Sequence, residues 1–268
     1  MASISERVHI RWGEDASSEP THTLVLTSLR HQFIDIRIFK ATEKDEPYLP
    51  NEGSPMSRLE WAFSGTTESN TVEPPSDLNE GYHHSVWRHV IDSKVPFDET
   101  PPVDEGDIYP QRDSNISYEY GAMVNPATNE MTDYQEVWRD LDCLSLDTDG
   151  MKSCSVLTTE NTEHKIRGII IRVGQYCQAL LKVGDEINVE RWHYTPRRPE
   201  SPYSDPFQDD DSQDSTFVGR SGDWTRQLKL GSRFLPCVVT FQDENNSVGD
   251  KITRGDFEWT IVEKEEWD

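Results

Sequence analysis

Three consecutive segments near the middle of the chain carry its densest strand-like pattern. The β-branched run Ile169–Val173 is followed by the apolar run Tyr176–Val183 and by the alternating segment Glu186–Trp192. Alternation and β-branching favour strands over a helix. Between the last two segments, Gly184–Asp185 has the chemistry of a hairpin turn, because glycine adopts a positive φ at little cost. The pattern therefore predicts an antiparallel meander.

Further strand-like segments flank this meander on both sides. They are short and contain apolar or alternating residues: Thr23–Ser28, Phe33–Phe39, Leu59–Phe63, His84–Ile91, Ser153–Thr159, Trp224–Leu230, Pro236–Phe241 and Phe257–Val262. Polar, proline-containing stretches predict loops at Thr66–Asn79 and Val95–Gly106, and Thr132–Leu141 fits either a strand or a short helix. No segment has the pattern of a long amphipathic helix, so the sequence predicts an all-β protein.

A faint internal repeat predicts two similar halves. Ile36–Ile38 and Ile171–Val173 both place an arginine between β-branched residues. Further along each half, Trp87–Arg88 resembles Trp224–Arg226, and the matches occur in the same order in both halves. Halves of about 130 residues have an ordinary domain size.

The polar segments suggest where the halves begin and end. Asp147–Gly150 is a short polar segment that predicts a seam, that is, a boundary between the two halves. Thr195–Gly222 is dominated by proline, serine and aspartate. Such a segment buries too little apolar area to offset the entropy lost on ordering it. We therefore predict two tandem antiparallel β-barrels at residues 1–146 and 147–268, the second carrying a mobile acidic loop at residues 195–222.

The charge narrows the classes of partner. A net charge of −24 repels phosphate groups, so the sequence predicts no nucleic-acid and no membrane partner. The start of the chain lacks the apolar core of a secretory signal, and no run approaches the roughly 20 apolar residues of a membrane helix. We therefore expect a cytoplasmic protein, with the nucleus left open. The scattered cysteines are typical of buried thiols.

Several common chemistries have no motif in this chain. It contains no Walker A sequence, no GxGxxG, no GxSxG and no HExxH. The adjacent histidines His83 and His84 point to opposite faces of a strand, so they do not converge with His89 on one ion. We therefore predict no cofactor and no metal site.

A barrel directs alternate side chains inward, where a ligand can bind. An arginine inside an apolar strand, such as Arg37 or Arg172, must reach solvent, a carboxylate or a ligand; Asp35 and Glu190 are candidate partners. Tryptophans in strands are more often core than ligand contacts, but a pocket also needs walls. The predicted site combines possible hydrogen-bonding groups and aromatic walls: Arg172, His89 and Tyr176 as catalytic residues, and Trp61, Trp87, Tyr109 and Gln178 as substrate-binding residues.

Five stretches of the chain resemble a known family. They extend over most of its length: Leu59–Gly65, Val86–Ser93, Asp104–Gln111, Met123–Asp140 and Arg167–Glu186. These stretches resemble the fungal HRI family, which is named after a yeast protein that interacts with a casein-kinase-I-type kinase. The resemblance implies two linked lipocalin-like barrels and a fungal, intracellular protein. It brings no general catalytic motif.

The resemblance also implies a class of reaction. Fungal hetero-Diels–Alderases, which join a tropolone-derived quinone methide to a sesquiterpene such as humulene, are similar to this family. An apolar cavity would hold both partners in register, a donor would polarise the quinone-methide carbonyl, and an acid or base would assist loss of water. The leading hypothesis is therefore a cofactor-free pericyclase acting on an apolar small molecule.

Two alternatives stay open beside this enzyme. The first is a non-catalytic, kinase-interacting protein whose acidic segment Ser201–Ser215 accepts phosphate or docks a basic surface. The second is a carrier that binds an apolar molecule without transforming it. A cavity of several hundred Å³ would favour the enzyme or the carrier over the interaction protein.

Overall fold

The computed structural model describes residues 1–52, 56–73, 81–146, 150–197, 222–241 and 246–268. Its strands are β1 Ser3–Trp12, β2 Thr21–Thr27, β3 Gln32–Phe39, β4 Leu59–Val72, β5 Tyr82–Asp92, β6 Val103–Pro110, β7 Ile116–Val124, β8 Met131–Leu141, β9 Lys152–Asn161, β10 Ile166–Val173, β11 Tyr176–Val183, β12 Glu186–Pro196, β13 Gly222–Leu230, β14 Lys251–Arg254 and β15 Phe257–Trp267. Two short 3-10 helices cover Met56–Arg58 and Cys237–Thr240. The described residues contain no α-helix, and the all-β prediction is confirmed.

The first eight strands close into an antiparallel barrel in chain order. Closure is made by β1 and β8, which pair from Ile4 opposite Leu141 to Trp12 opposite Tyr134. Every strand of the barrel has two hydrogen-bonded neighbours, so the barrel has no free edge along which another strand could pair.

The remaining strands form a seven-stranded sheet in the order β13-β12-β11-β10-β9-β15-β14, which curls as a half-barrel. Its centre is the predicted meander, since β10 pairs with β11 over their whole lengths and β11 pairs with residues 186–193 of β12. Gly174 and Gly184 lie in the two hairpin turns with φ of 50° and 58°. A side chain at either position would be strained, because this region of φ favours glycine.

The main apolar core lies between the barrel and the sheet. The outer face of the barrel contributes Ile4, Leu24, Leu26, Ile34, Ile36, Ile38, Ala62 and Ile91, and the facing side of the sheet contributes Cys154, Val156, Ile169, Ile171, Val173, Leu180, Ile187, Val189, Leu228 and Leu230. Each fully buried aliphatic side chain contributes about 1.5–3 kcal/mol through the area removed from water. The apolar face of the early barrel strands therefore points outward, which leaves the interior to their polar residues.

A second core covers the other face of the sheet. Trp259, fully buried, packs there with Ile170, Leu181 and Cys237. The segment Pro236–Phe241, predicted as a strand, is instead built around the 3-10 helix at Cys237–Thr240, and that prediction is wrong. The apolar residues of this segment bury against the sheet without pairing with it, so its composition alone resembled that of a strand.

Other differences concern polar strands. The predicted loop at Thr66–Asn79 is wrong over its first part, because β4 continues to Val72, and the predicted loop at Val95–Gly106 is wrong over its last part, because β6 begins at Val103. The strands β1 and β7 were not predicted at all, since their inward faces carry polar residues that hide the usual alternation. Thr132–Leu141, which fitted a strand or a helix, lies in β8.

Two predictions concern residues that are largely outside the described ranges. The seam at Asp147–Gly150 falls mostly on residues 147–149, and the acidic loop at residues 195–222 falls mostly on residues 198–221. At the margins of that loop, β12 extends to Pro196 and β13 begins at Gly222. None of the helices that the structure describes has the length and apolar character needed to cross a membrane.

Candidate ligand site inside the barrel

The barrel encloses a cavity of about 380 Å³. Its walls carry hydroxyl groups from Ser3, Ser5, Thr27, Thr67, Ser69, Ser85 and Ser117, and rings from Phe33, Phe63, Trp87, Tyr134 and Trp138. Its charged lining consists of Asp35, Arg37, Asp104, Glu119, Glu136 and Asp140. This interior is polar and ionic, in contrast to the apolar outer face that packs on the sheet.

The alternation of β3 explains how charges come to lie inside. Ile34, Ile36 and Ile38 face outward into the core, so Asp35 and Arg37 between them must face inward. The Arg37 guanidinium donates hydrogen bonds of 3.0 and 2.8 Å to Asp35 Oδ2. The prediction that Asp35 is a partner of a strand arginine is confirmed for Arg37.

Two arginines share the carboxylate of Glu136. Arg37 Nη1 lies 3.3 Å from Glu136 Oε1, and Arg7 Nη1 donates to the same oxygen. Arg7 also donates to Glu19, at 2.8 Å, and to the Thr21 hydroxyl, at 2.9 Å. Because all these groups are buried or nearly so, the network fixes the Glu136 carboxyl group and both guanidinium groups in place.

Glu119 is the exception among the buried carboxyl groups. It lies directly opposite Glu136 in the pairing of β7 with β8, yet its described partner is the Tyr134 hydroxyl, which donates to Glu119 Oε1 at 2.7 Å. Burial and the neighbouring charge of Glu136 raise the pKa of Glu119 to about 8. Glu119 therefore holds a proton at pH 7, beside a carboxyl group that is bonded by two arginines.

A pair of glycines makes room for this arrangement. Gly106 on β6 lies opposite Gly121 on β7. A Cβ atom at Gly121 would come within 2.5 Å of the Tyr134 hydroxyl, and one at Gly106 would lie 3.3 Å from the Glu119 side chain. Because these side chains are missing, the Tyr134 ring can lie over Gly121 and reach Glu119.

His89 joins two carboxylates at another part of the wall. Its Nδ1 lies 3.0 Å from Asp92 Oδ2, and its Nε2 lies 3.3 Å from Asp104 Oδ2. Asp92 Oδ1 accepts a 2.9 Å hydrogen bond from the Trp61 indole. Burial lowers the pKa of His89, but the hydrogen bonds and charges of Asp104 and Asp92 outweigh burial and raise it. The ring stacks on Phe63, which lines the cavity, with centroids 4.3 Å apart.

The structure brings together only part of the predicted site. Trp87 lines the cavity, while His89 and Trp61 form the wall behind Phe63. Tyr109 is on the outer surface of the barrel, 37% exposed, where it stacks on Tyr82 at 4.9 Å.

The other predicted residues belong to the second sheet. Arg172 is buried there and donates hydrogen bonds to the carbonyl groups of Gly174 and Thr240 and to the Ser153 hydroxyl. Its suggested carboxylate, Glu190, instead pairs with Lys229 at 2.6 Å. Arg172 therefore fastens the 3-10 helix segment to the sheet, away from the barrel cavity.

Gln178 and Tyr176 also lie outside the barrel. Gln178 is fully buried between the two units and donates to the carbonyl groups of Leu24 and Ile34, at 3.0 and 3.2 Å, from outside the barrel. Tyr176 packs beside His193, with ring centroids 4.5 Å apart. The predicted catalytic set, Arg172, His89 and Tyr176, is thus divided between the two units.

Sequence reasoning found only the Asp35–Arg37 pair among the groups that form the charged floor of the cavity. It missed Arg7, Glu119, Tyr134 and Glu136. One signal was present, since an acidic and a basic residue alternate with isoleucines in β3. Glu119, Tyr134 and Glu136 meet through the register of β7 with β8, and Arg7 reaches them only because β1 closes on β8, so neither proximity is visible in local residue patterns.

Nearly the whole chain matches one family model. The model, described as Protein HRI1, covers residues 3–263. The chain belongs to the HRI1 family. A crystal structure of the uncharacterized protein YLR301w from Saccharomyces cerevisiae is similar to it with a TM-score of 0.68 and 19% identity, over 99% of each chain. No curated protein matches the chain.

The comparisons support the fold more than the chemistry. At 19% identity, the likeness to the yeast structure shows the fold alone. Neither the name of the family nor that of the yeast protein refers to a ligand or a reaction, so membership of the HRI1 family assigns no activity to the cavity.

Proposed function

We propose that this protein binds a small organic molecule inside its closed barrel. The observation that carries the proposal is the cavity of about 380 Å³ with a charged floor and aromatic walls. Its volume falls within the range of about 300–1,000 Å³ that is typical of small-molecule sites. A barrel that only supports a fold would fill this space with side chains.

The lining indicates the kind of molecule. Phe33, Phe63 and Trp87 offer flat apolar surfaces, while Glu119 and the Asp35–Arg37 pair offer hydrogen bonds at the floor. A ligand that has both a ring system and at least one polar group would match both parts. A purely hydrocarbon ligand would leave the buried polar groups of the floor without compensation.

A catalytic form of this proposal is hetero-Diels–Alder coupling of a tropolone quinone methide with a sesquiterpene. Support comes from the cavity, which would hold two partners in register, and from the floor, where a donor would polarise the quinone-methide carbonyl. In this form the reacting groups meet the floor of the barrel. Arg172 and Tyr176, which lie in the second sheet, would act only on structure.

Tryptophan fluorescence tests the binding proposal. Titration with a tropolone–sesquiterpene adduct, or with the tropolone alone, should give saturable quenching, because Trp87 and Trp138 line the cavity. Trp87→Phe should reduce the amplitude, and Trp267→Phe, a partly buried residue of the second sheet, should leave the titration curve unchanged. Quenching that Trp87→Phe does not alter would contradict a site in the barrel, and a turnover assay would separate enzyme from carrier.

The kinase-interacting alternative depends on a different part of the chain. Its acidic segment Ser201–Ser215 lies outside the described residues. The expected result is that deletion of residues 201–215 abolishes capture of a casein-kinase-I-type kinase and leaves ligand titration intact. Unchanged capture would remove the role assigned to this segment.

A further inference from the structure

Two glutamates meet inside the barrel in opposite chemical situations. Glu119 on β7 and Glu136 on β8 are direct cross-strand partners, 6% and 1% exposed, and both line the cavity. Like charges placed directly opposite each other destabilise a sheet, and two adjacent buried carboxyl groups do not both ionise readily. One of the two must therefore hold a proton at neutral pH.

The contacts decide which one holds it. Glu136 Oε1 is bonded by Arg7 and Arg37, two permanently charged groups. In the part of the chain that the structure describes, Glu119 forms no ion pair, and its bond is with the neutral Tyr134 hydroxyl. Guanidinium groups stabilise a carboxylate far more than a hydroxyl group does. The proton thus belongs on Glu119.

The groups that bond Glu119 are neutral. Tyr134 Oη donates to Oε1 of Glu119, and the Trp138 indole N–H acts on the same carboxyl group as a second neutral donor. Burial and the two neighbouring carboxyl groups raise the pKa of Tyr134, so the phenol keeps its proton. Glu119 lines the cavity, so its carboxylic acid is within reach of a molecule bound there.

We propose that Glu119, held by Tyr134 and by its place opposite the ion-paired Glu136, donates a hydrogen bond from its neutral carboxylic acid to a carbonyl oxygen of the bound molecule. This inference rests on the proposed function and names the ligand class, a neutral ring compound with an exposed ketone-type oxygen. Glu119 contacts the ligand, whereas Tyr134 is a positioning residue.

Other ionisable groups near the cavity must be considered in a pH experiment. They are His31, Asp35 and Arg37 on or just before β3, Asp104 on β6, Tyr134, Glu136 and Asp140 on β8, and Arg7 on β1, with His89 behind Asp104. The charge of Glu136 is among the causes that raise the pKa of Glu119 to about 8, and His89 also has a raised pKa. A variant of Glu119 is therefore needed to assign any pH effect.

Tropone, a neutral seven-membered ketone, is a suitable probe, and cycloheptatriene is its carbonyl-free control. Calorimetric titration of the wild-type protein should give a tropone Kd about tenfold weaker at pH 9 than at pH 6, because the donor is lost when a group of pKa about 8 ionises. Binding of cycloheptatriene should be weaker and should not follow this profile.

Substitutions of Glu119 distinguish a side chain that donates a hydrogen bond to tropone from one that only packs against it. Glu119→Gln retains a neutral donor of the same shape, so its tropone Kd should be the same at pH 6 and pH 9. Glu119→Ala should weaken binding at pH 6 by roughly three- to tenfold, the value of one neutral hydrogen bond. The exposed Glu130→Gln should keep the wild-type profile. A profile that Glu119→Gln leaves unchanged would overturn the donor role.

Infrared spectroscopy tests whether Glu119 holds a proton when no ligand is present. The wild-type protein at pH 7 should show a buried carboxylic-acid C=O band that is absent from Glu119→Gln and shifted in Tyr134→Phe. Retention of the band in Glu119→Gln would overturn the assignment of the proton. Failure of the proposed function would look different, since neither probe would then bind to any variant at any pH.

Discussion

At the scale of single residues, the ionisable side chains inside the barrel differ in the groups that bond them, and these groups influence their protonation. Asp35 and Glu136 are bonded by guanidinium groups, Glu119 by a phenol, and His89 by two carboxylates. Arginine carries its charge at every ordinary pH. Burial raises the pKa of Glu119, which has no arginine partner, to about 8, and for His89 the bonds with its two carboxylates outweigh burial and raise the pKa. Glu119 and His89 are therefore the residues through which pH should act on this protein.

His89 should stabilise the fold in a pH-dependent manner. Its pKa is raised in the folded state, so its contribution to stability is complete below its unfolded pKa of about 6.5 and is lost as the pH rises through the folded value. We expect His89→Gln to lower the free energy of unfolding by on the order of 2–3 kcal/mol at pH 6, since two carboxylates lose their cation, and by less at pH 9. Urea unfolding at both pH values measures this difference.

The exposed turn residue His164 offers a matched control for that experiment. His164→Gln should change stability little at either pH. An equal loss for His89→Gln at pH 6 and pH 9 would mean that packing of the ring on Phe63, rather than its charge, accounts for its effect.

At the scale of elements, irregular pairing shapes the barrel wall. β4 and β5 pair with a register shift between Ser64 and Gly65. A Cβ atom at Gly65 would lie 1.8 Å from the Arg88 carbonyl oxygen. This contact explains why glycine is needed here, because bulges bring two backbones closer than a side chain permits. The bend lets β4 pair with β3 at one end and continue along β5 at the other.

Gly65→Ala should therefore distort the junction of β4 with β5. We expect it to lower the free energy of unfolding by about 3 kcal/mol or more, a loss of the size associated with forced backbone strain. The exposed neighbour Thr66→Ala should stay within about 0.5 kcal/mol of wild type. Chemical denaturation of both variants tests this prediction. Equal free energies of unfolding would mean that β4 and β5 accommodate the added methyl group without strain.

At the scale of the whole molecule, the barrel and the sheet share one core. Leu180 of β11 is fully buried in the cluster that also contains Ile34 and Ile36 of β3. Polar groups tie the same interface, since Arg191 donates at 2.9 Å to Gln178 Oε1 and at 3.0 Å to the Ile36 carbonyl group. Because neither apolar face is covered without the other, the two units should unfold together.

Leu180→Ala should weaken both units, although the residue belongs to the sheet. We expect a loss of about 2–5 kcal/mol, which combines lost burial with the cavity left behind. Amide hydrogen exchange should accelerate in β3 of the barrel as well as in β11. Val90→Ala, at a site 50% exposed on the barrel, should have little effect on either. Faster exchange confined to the sheet would indicate independent folding.

Some features of this protein followed from its sequence. Local patterns predicted the meander β10–β12, because β-branched runs and a glycine turn act over neighbouring residues, and the absence of helical periodicity predicted the all-β class. The same local reasoning failed for β1, β7 and the far part of β4, whose inward faces are polar. Apolar alternation indicates only that one face is buried, not whether that face points into a barrel or out of it.

The tertiary structure decided where the chemistry lies. The sequence drew attention to Arg172, Tyr176 and Gln178, which stand in the most apolar strands, and the fold uses two of them, Arg172 and Gln178, to fasten its parts together. Glu119 and Glu136 are 17 residues apart in the chain, and only the pairing of β7 with β8 places them opposite each other. Arg7 and Arg37 reach Glu136 only because β1 closes on β8. Local residue patterns determine which segments form strands, whereas the proximity of distant charges depends on barrel closure and register.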